Sequence, residues 1–312
     1  SRLYAFGAAC MLLCMLTIPL ISTIKPAAQA APAGANAVTQ PVSEEETVIM
    51  YDTTSKKLIS LPVEEYLIGV VACEMSASSE PEALKAQAVA AYSVILEYCY
   101  GRDEPYDLVK CIDLSQPTDK KIYDAVGEVL GVKILDTGGD TMVAQLISTF
   151  YSAMSCGVTA NSEHYWSSAL PWTRSVVSQY DNEETVSKYG GTFSQSLTMS
   201  KEQFKQQVLA GVSSIPGAVM DESQFDMADG ALPFTVVEYD GVDGGEHRYV
   251  YKTSLTYRVG VKTYNVTGKQ LRAWLVFQVS GSRTAALRSH SFDVACSGQD
   301  LTFTTYGYGH GI

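Results

Sequence analysis

The chain has 312 residues, 46% of them hydrophobic and 10% aromatic, which supplies a real core and excludes a disordered chain. That length holds one large domain or two intimate ones. A formal net charge of −12 excludes nucleic acid as a partner and disfavours anionic membrane surfaces, while a neutral sugar polymer or a locally basic cleft stays compatible.

In chain order, the first segment is apolar. The chain opens at Ser1 rather than methionine, so a true start upstream is expected. Residues 4–21 carry no charge and follow Arg2. An apolar run of this length just spans a bilayer, and the preceding cation favours an N-terminus held inside. The competing reading is a cleaved signal, with Ala28-Gln29-Ala30 as the small-residue cleavage site. Both readings export the rest. Residues 25–45 then read as a linker, rich in Ala and Pro over 25–42.

The folded part is expected over 46–312. Residues 47–51 and 57–60 predict a hairpin, and Pro62 opens a helix, a place its fixed φ suits. A second helix is predicted from Pro81, with Ser79 as N-cap and Glu82 at the capping-box position, followed by the strong helix formers of 82–91. A short helix is predicted over 121–130, a strand over 142–152, and a capped helix over 200–209 with Gln203 at the box position. Residues 185–227 are polar and read as an insertion or small second lobe. Strands follow over 234–239, 248–261, 275–279, 292–296 and 301–306. No internal repeat is present, and the order predicts an α+β fold.

Seven cysteines make no disulfide framework. Cys10 and Cys14 lie in the apolar run, and Cys73, Cys99, Cys111, Cys156 and Cys296 show no C-x-x-C pair. Zinc is disfavoured for the same reason: it needs about four ligands, and Cys111-Ile-Asp113 has no second Cys or His at ligand spacing. Cys156 and His164 would supply only two. No cofactor is expected.

The chemistry-bearing residue emerges from the first helix. Val63, Tyr66, Leu67, Val70 and Val71 recur at i, i+3, i+4, i+7 and i+8, an apolar stripe whose next position is Glu74. A carboxyl group in a core-facing slot has its ionised form disfavoured, and an acid kept protonated near neutrality serves as a general acid. The bland alternatives are a frayed, exposed Glu74 or its neutralisation by Lys85.

The stretch Leu61-Pro-Val-Glu-Glu-Tyr-Leu-Ile-Gly-Val-Val-Ala-Cys-Glu-Met75 and the run Glu82-Ala-Leu-Lys-Ala-Gln-Ala-Val-Ala-Ala91 carry a resemblance. So do Tyr151-Ser-Ala-Met-Ser-Cys-Gly-Val-Thr159, then Trp166, Pro171 and Asp181, and near the end Leu287-Arg-Ser289, Phe292 and Gly307-Tyr-Gly-His-Gly311. This pattern resembles the stage II sporulation protein D family. The resemblance implies a two-lobed mixed helix/sheet domain with a substrate cleft, behind an N-terminal transmembrane helix. It also implies a lytic transglycosylase that cuts peptidoglycan between N-acetylmuramic acid and N-acetylglucosamine, with Glu74 as the single acid and base. Lys85, Tyr92, Ser155, Thr159, Trp172, Arg174, Asp181 and His310 are the implied substrate-binding positions. Tyr92 stands where the family usually has Arg, and its charge is lost. Trp172 stands where the family usually has Tyr, keeping the stacking face without the hydroxyl. A glycine-rich segment and a terminal helix are implied beyond Ile312. The implied setting is the cell membrane at the septum between mother cell and forespore. The implied partners are glycan strands, a membrane-bound amidase and a multi-span membrane protein. Two other readings stay open: a catalytically weak glycan-binding or amidase-activating protein, and a zinc hydrolase.

Overall fold

The computed structural model describes residues 35–39, 47–52, 56–99, 120–136, 145–166, 168–218, 220, 225, 229–255 and 264–312. The apolar run at 4–21, the cleavage site at 28–30, Cys10, Cys14 and Cys111 lie outside the described residues. Among the described residues no helix is long and apolar enough to cross a membrane. The chain divides into two compact units, Ser1–Tyr151 and Ser152–Ile312. Helices and strands are mixed in both, as an α+β fold requires.

In the first unit, β1 (Ala35–Thr39) pairs antiparallel with β4 (Val132–Asp136), whose other edge takes β5 (Gln145–Leu146). The linker reading therefore fails over 35–39, because a ladder with β4 satisfies backbone groups that a linker leaves to water. β2 (Thr47–Asp52) and β3 (Lys57–Pro62) form the expected hairpin. Pro62 ends β3 at φ −53° and leads directly into α1 (Val63–Glu74).

Three helices make the core of this unit. Val63, Tyr66, Leu67, Ile68 and Val71 of α1 pack with Leu84, Ala88, Ala91, Tyr92 and Ile95 of α2 (Pro81–Cys99). Ile122, Ala125 and Val126 of α3 (Lys120–Val129) complete the cluster. Each large aliphatic side chain removed from water contributes about 1.5–3 kcal/mol. Two hydroxyls tie α2 to its surroundings: Ser93 Oγ accepts from Ile134 N–H (2.9 Å) and Thr149 Oγ1 donates to Ala90 O (2.7 Å). Residues 147–149, which follow β5, are buried, and Thr149 turns its hydroxyl toward α2. The capping box expected at Ser79 is not formed. Ser79 N–H donates to Ser76 O, and the Glu82 carboxylate is taken by Lys85.

In the second unit, the sheet β6 (Ser194–Ser200), β13 (Asp300–Tyr306) and β12 (Phe292–Ser297) has β13 at its centre. A second sheet joins β7 (Phe234–Asp240), β8 (Tyr249–Leu255) and β9 (Tyr264–Thr267), and β10 (Val276–Ser280) pairs with β11 (Arg283–Ala286). Because β6 is paired along its length with the last strand, residues 185–227 are an integral part of this unit and not an insertion. After the short helices α4 (Ser162–Trp166) and α5 (Glu183–Lys188), helix α6 (Lys201–Ser213) starts at the expected capping box, Ser200 with Gln203, with both bonds made. A second box, Thr267 with Gln270, opens α7 (Gly268–Trp274). Phe204, Phe234, Phe277, Phe292 and Phe303 converge in the core, with ring centroids 5.6–6.2 Å apart in the pairs that touch. Gly211 of α6 lies where a Cβ would run into the Trp274 indole, so the two helices meet only because that position lacks a side chain.

Candidate functional site

Glu74, Lys85 and Tyr92 belong to the first unit. Ser155, Thr159, Trp172, Arg174, Asp181 and His310 belong to the second. The helix stripe does place Glu74 as foreseen: it is the final residue of α1, half-buried, with Met75 extended immediately after it. Its carboxyl has no hydrogen-bond or ion-pair partner among the described residues. Burial pushes its pKa above the usual glutamate range. Its place at a helix C-terminus, with no basic residue in the last turn, disfavours negative charge further. The group is thus an uncompensated acid poised to hold a proton.

Lys85 does not neutralise it. Its ammonium binds Glu82 (2.8 Å) and Glu128 on α3 (2.5 Å), and these hydrogen bonds, Glu128 first, push its pKa up to about 12. Lys85 therefore clasps α2 to α3. Tyr92 is 5% exposed and lies on the buried stripe of α2 with Leu84, Ala88, Ala91 and Ile95. The helix period carries this position, which the resemblance assigns to substrate, into the core cluster of the first unit.

In the second unit the loop 152–160 is held from two sides. On one side Met154 bridges Tyr308, and Ala160 N–H donates to Gly311 O. On the other, Val158 bridges Val177, Ser178 N–H donates to Gly157 O, and Thr159 N–H donates to Val176 O. Gly307, at φ +70°, passes so close that a Cβ would sit 2.5 Å from Ser155 O. Asp181 organises this loop. Its Oδ2 accepts from Ser155 N–H (2.9 Å), Ser155 Oγ (2.6 Å) and Ser178 Oγ (3.0 Å). Ser155 and Asp181 are therefore brought together, with Ser155 only 4% exposed. Asp181→Asn keeps the shape but weakens three charge-assisted bonds. It is expected to cost about 1–3 kcal/mol and lower the melting temperature by several degrees, measured by calorimetry.

The other positions serve the same frame. Thr159 Oγ1 accepts from Val176 N–H (2.9 Å). Arg174 is locked by a bidentate bond to Glu163 (2.7 and 2.5 Å) and by bonds to Ser162 Oγ (3.0 Å) and Leu170 O (3.0 Å). That guanidinium holds the Glu163 carboxyl below the usual range. Both residues therefore hold the geometry of the loop through bonds within the fold. Trp172 is half-buried. His310 lies against Trp166 (centroids 4.9 Å) and Tyr165 (5.6 Å), with Nδ1 accepting from Ile312 N–H. Trp166 is half-buried.

Sequence reasoning missed the acid partners of this region. Asp240, 2% exposed, accepts from Asn161 N–H (2.8 Å), Asn161 Nδ2 (2.5 Å) and Gly241 N–H (2.8 Å), and its Oδ1 lies 2.9 Å from His164 Nδ1. Asp240 is 79 positions from Asn161, so no local spacing pointed to the pair. Cys156 is buried, which pushes its thiol pKa up, and the thiol faces the carbonyls of Val158 and His247. Among the described residues no group of three or more His, Cys, Asp or Glu is arranged to hold a metal.

Two comparisons with known proteins bear on this arrangement. A family model described as Stage II sporulation protein matches residues 51–147, the stretch that holds Glu74 and the three-helix core. Stage II sporulation protein D of Bacillus subtilis (strain 168) is 30% identical over 287 residues, covering 85% of this chain and 70% of its own length. Stage II sporulation protein D of Bacillus amyloliquefaciens is 30% identical over 290 residues, with the same shares covered.

Proposed function

Because the chain belongs to the stage II sporulation protein D family, we propose that it is a peptidoglycan lytic transglycosylase acting during sporulation. It cuts the bond between N-acetylmuramic acid and N-acetylglucosamine in peptide-stripped strands. The observation that carries this reading is Glu74: one carboxyl, half-buried, without a partner among the described residues, its pKa raised by burial.

A single acid suffices for this reaction. The Glu74 carboxyl donates its proton to the glycosidic oxygen as the bond to the muramic anomeric carbon breaks, and the N-acetylglucosamine hydroxyl leaves. The resulting carboxylate removes the proton from the muramic C6 hydroxyl, whose oxygen closes on the anomeric carbon. The product is a 1,6-anhydro-muramyl end, no water is consumed, and Glu74 ends protonated again. A hydrolase, by contrast, needs a second carboxylate flanking the bond to activate water or form an ester. No cofactor enters. On this reading the chain is tethered to the membrane by residues 4–21 and works outside the cytoplasm. It acts beside an amidase that strips stem peptides and a multi-span membrane protein.

One observation favours a second reading, a weakly catalytic glycan-binding or amidase-activating protein: Tyr92 is buried and brings no cation to α2, and Lys85 is committed to Glu82 and Glu128. Digestion of denuded peptidoglycan separates the readings. The enzyme is expected to release anhydro-muramyl ends, detected by mass, with unchanged yield in EDTA. Binding without such ends supports the second reading. Ordinary reducing ends lost on chelation support a zinc hydrolase.

A further inference from the structure

The second unit holds two cations with no acid opposite them among the described residues. Lys269 and Arg272 stand three residues apart on α7, on one helix face. Both converge on Tyr165. Lys269 Nζ donates to the Tyr165 carbonyl (2.6 Å) and lies 4.4 Å from the ring centroid, while Arg272 Nη1 donates to the Tyr165 hydroxyl (3.3 Å) and Nε to Leu287 O (3.3 Å). Neither has a carboxylate partner among the described residues, whereas Lys85, Lys120, Arg174, Lys205 and Arg248 each do.

Behind Tyr165 lies His290, 3% exposed, its ring 5.3 Å from that of Tyr165 and its Nδ1 without a hydrogen bond among the described residues. Burial, and after it Arg272, His310 and Lys269, push the pKa of His290 down, away from the charged form. Burial likewise lowers the pKa of Lys269. Half-buried Trp166 meets Tyr165 edge-on at 5.3 Å. The arrangement is an aromatic platform rimmed by uncompensated positive charge, in a chain whose net charge is −12.

Resting on the glycan reading above, we propose that Lys269 and Arg272 form a subsite for the free lactyl carboxylate of a peptide-stripped muramic residue, with Trp166 stacking on the sugar ring. A half-buried guanidinium without a counter-charge is costly, and an anionic ligand offsets that cost. A guanidinium and an ammonium three residues apart on one helix suit a planar carboxylate, and a half-buried indole suits a pyranose face. In a strand that still carries stem peptides the lactyl group is an amide, uncharged and bulky, and the subsite has nothing to hold. Preference for stripped strands then follows from charge.

The test uses the full chain carrying Glu74→Gln to stop turnover. Binding is measured to denuded glycan strands and to the same strands with lactyl carboxyls converted to methylamides. A preference of about tenfold for the carboxylate form is expected, the size of one charge-assisted hydrogen bond. Adding Lys269→Gln and Arg272→Gln is expected to bring the two affinities together, and Arg272→Lys to keep most of the preference. Should the double change unfold the unit, as a thermal melt would show, exposed Lys269→Gln alone decides, with a preference reduced about threefold. Glycan binding that ignores the lactyl charge, or a preference that survives these changes, overturns the subsite alone. Absence of glycan binding overturns the subsite and the glycan reading together.

Discussion

Glu74→Gln is expected to lower the yield of anhydro-muramyl ends about 1,000-fold, within the range a positioned acid–base group contributes, while glycan affinity changes less than about twofold. Glutamine keeps the shape of the side chain at the end of α1 but has no proton to give. The pH profile gives a second readout. The active form carries the proton, and burial raises the pKa, so the rate is expected to fall as pH rises through a midpoint above the usual glutamate range. Linkage fixes the sign for stability. The folded state binds this proton more tightly than the unfolded chain, so the contribution is full below the unfolded pKa and is lost as pH rises through the folded one. Relative to the glutamine variant, the native chain should therefore melt progressively lower as pH is raised across that window. A glutamine variant that still makes anhydro ends, or a melting difference independent of pH, would remove Glu74 from the mechanism.

The largest expected loss of stability comes from Phe303→Ala. Phe303 is fully buried on central strand β13, and its ring meets those of Phe204, Phe234, Phe277 and Phe292. Truncation removes an aromatic ring and leaves a cavity that four neighbouring rings cannot close, at about 3–5 kcal/mol. That is a large share of the stability of an ordinary domain. Denaturant titration should show a lower midpoint with little change in slope. Because β13 also carries the chain toward Gly307 and Tyr308, which brace the loop at Met154, the same change is expected to loosen that loop, seen as faster amide exchange at Ser155.

How much could be read in advance depended on the range of the physical cause. The stripe that ends at Glu74 is a local periodicity, and α1 follows it closely, though Ile68 is buried where Val70 is only half-buried. Ser200 with Gln203 is a local capping signal, and α6 starts there. The same signal at Thr267 and Gln270 was present and went unread, and at Ser79 it was read where Glu82 had a stronger partner in Lys85. Tyr92 shows the opposite limit. The resemblance sets it where the family usually has an arginine, yet the 3.6-residue period counted from Leu84 already puts it on the inner face.

From the sequence alone came the α+β class, the paired strands of the hairpin and the helix that carries the acid. Each follows from groups within about a dozen positions of one another, where propensity, period and turn chemistry act directly. Tertiary structure alone decided which polar groups are spent and which remain available. Lys85 goes to Glu128, Arg174 to Glu163, Ser155 to Asp181 and Asn161 to Asp240, whereas Glu74, Lys269 and Arg272 are left without a countercharge among the described residues. Partner choice depends on distances set by packing across tens of residues of chain, and no period or motif encodes those distances.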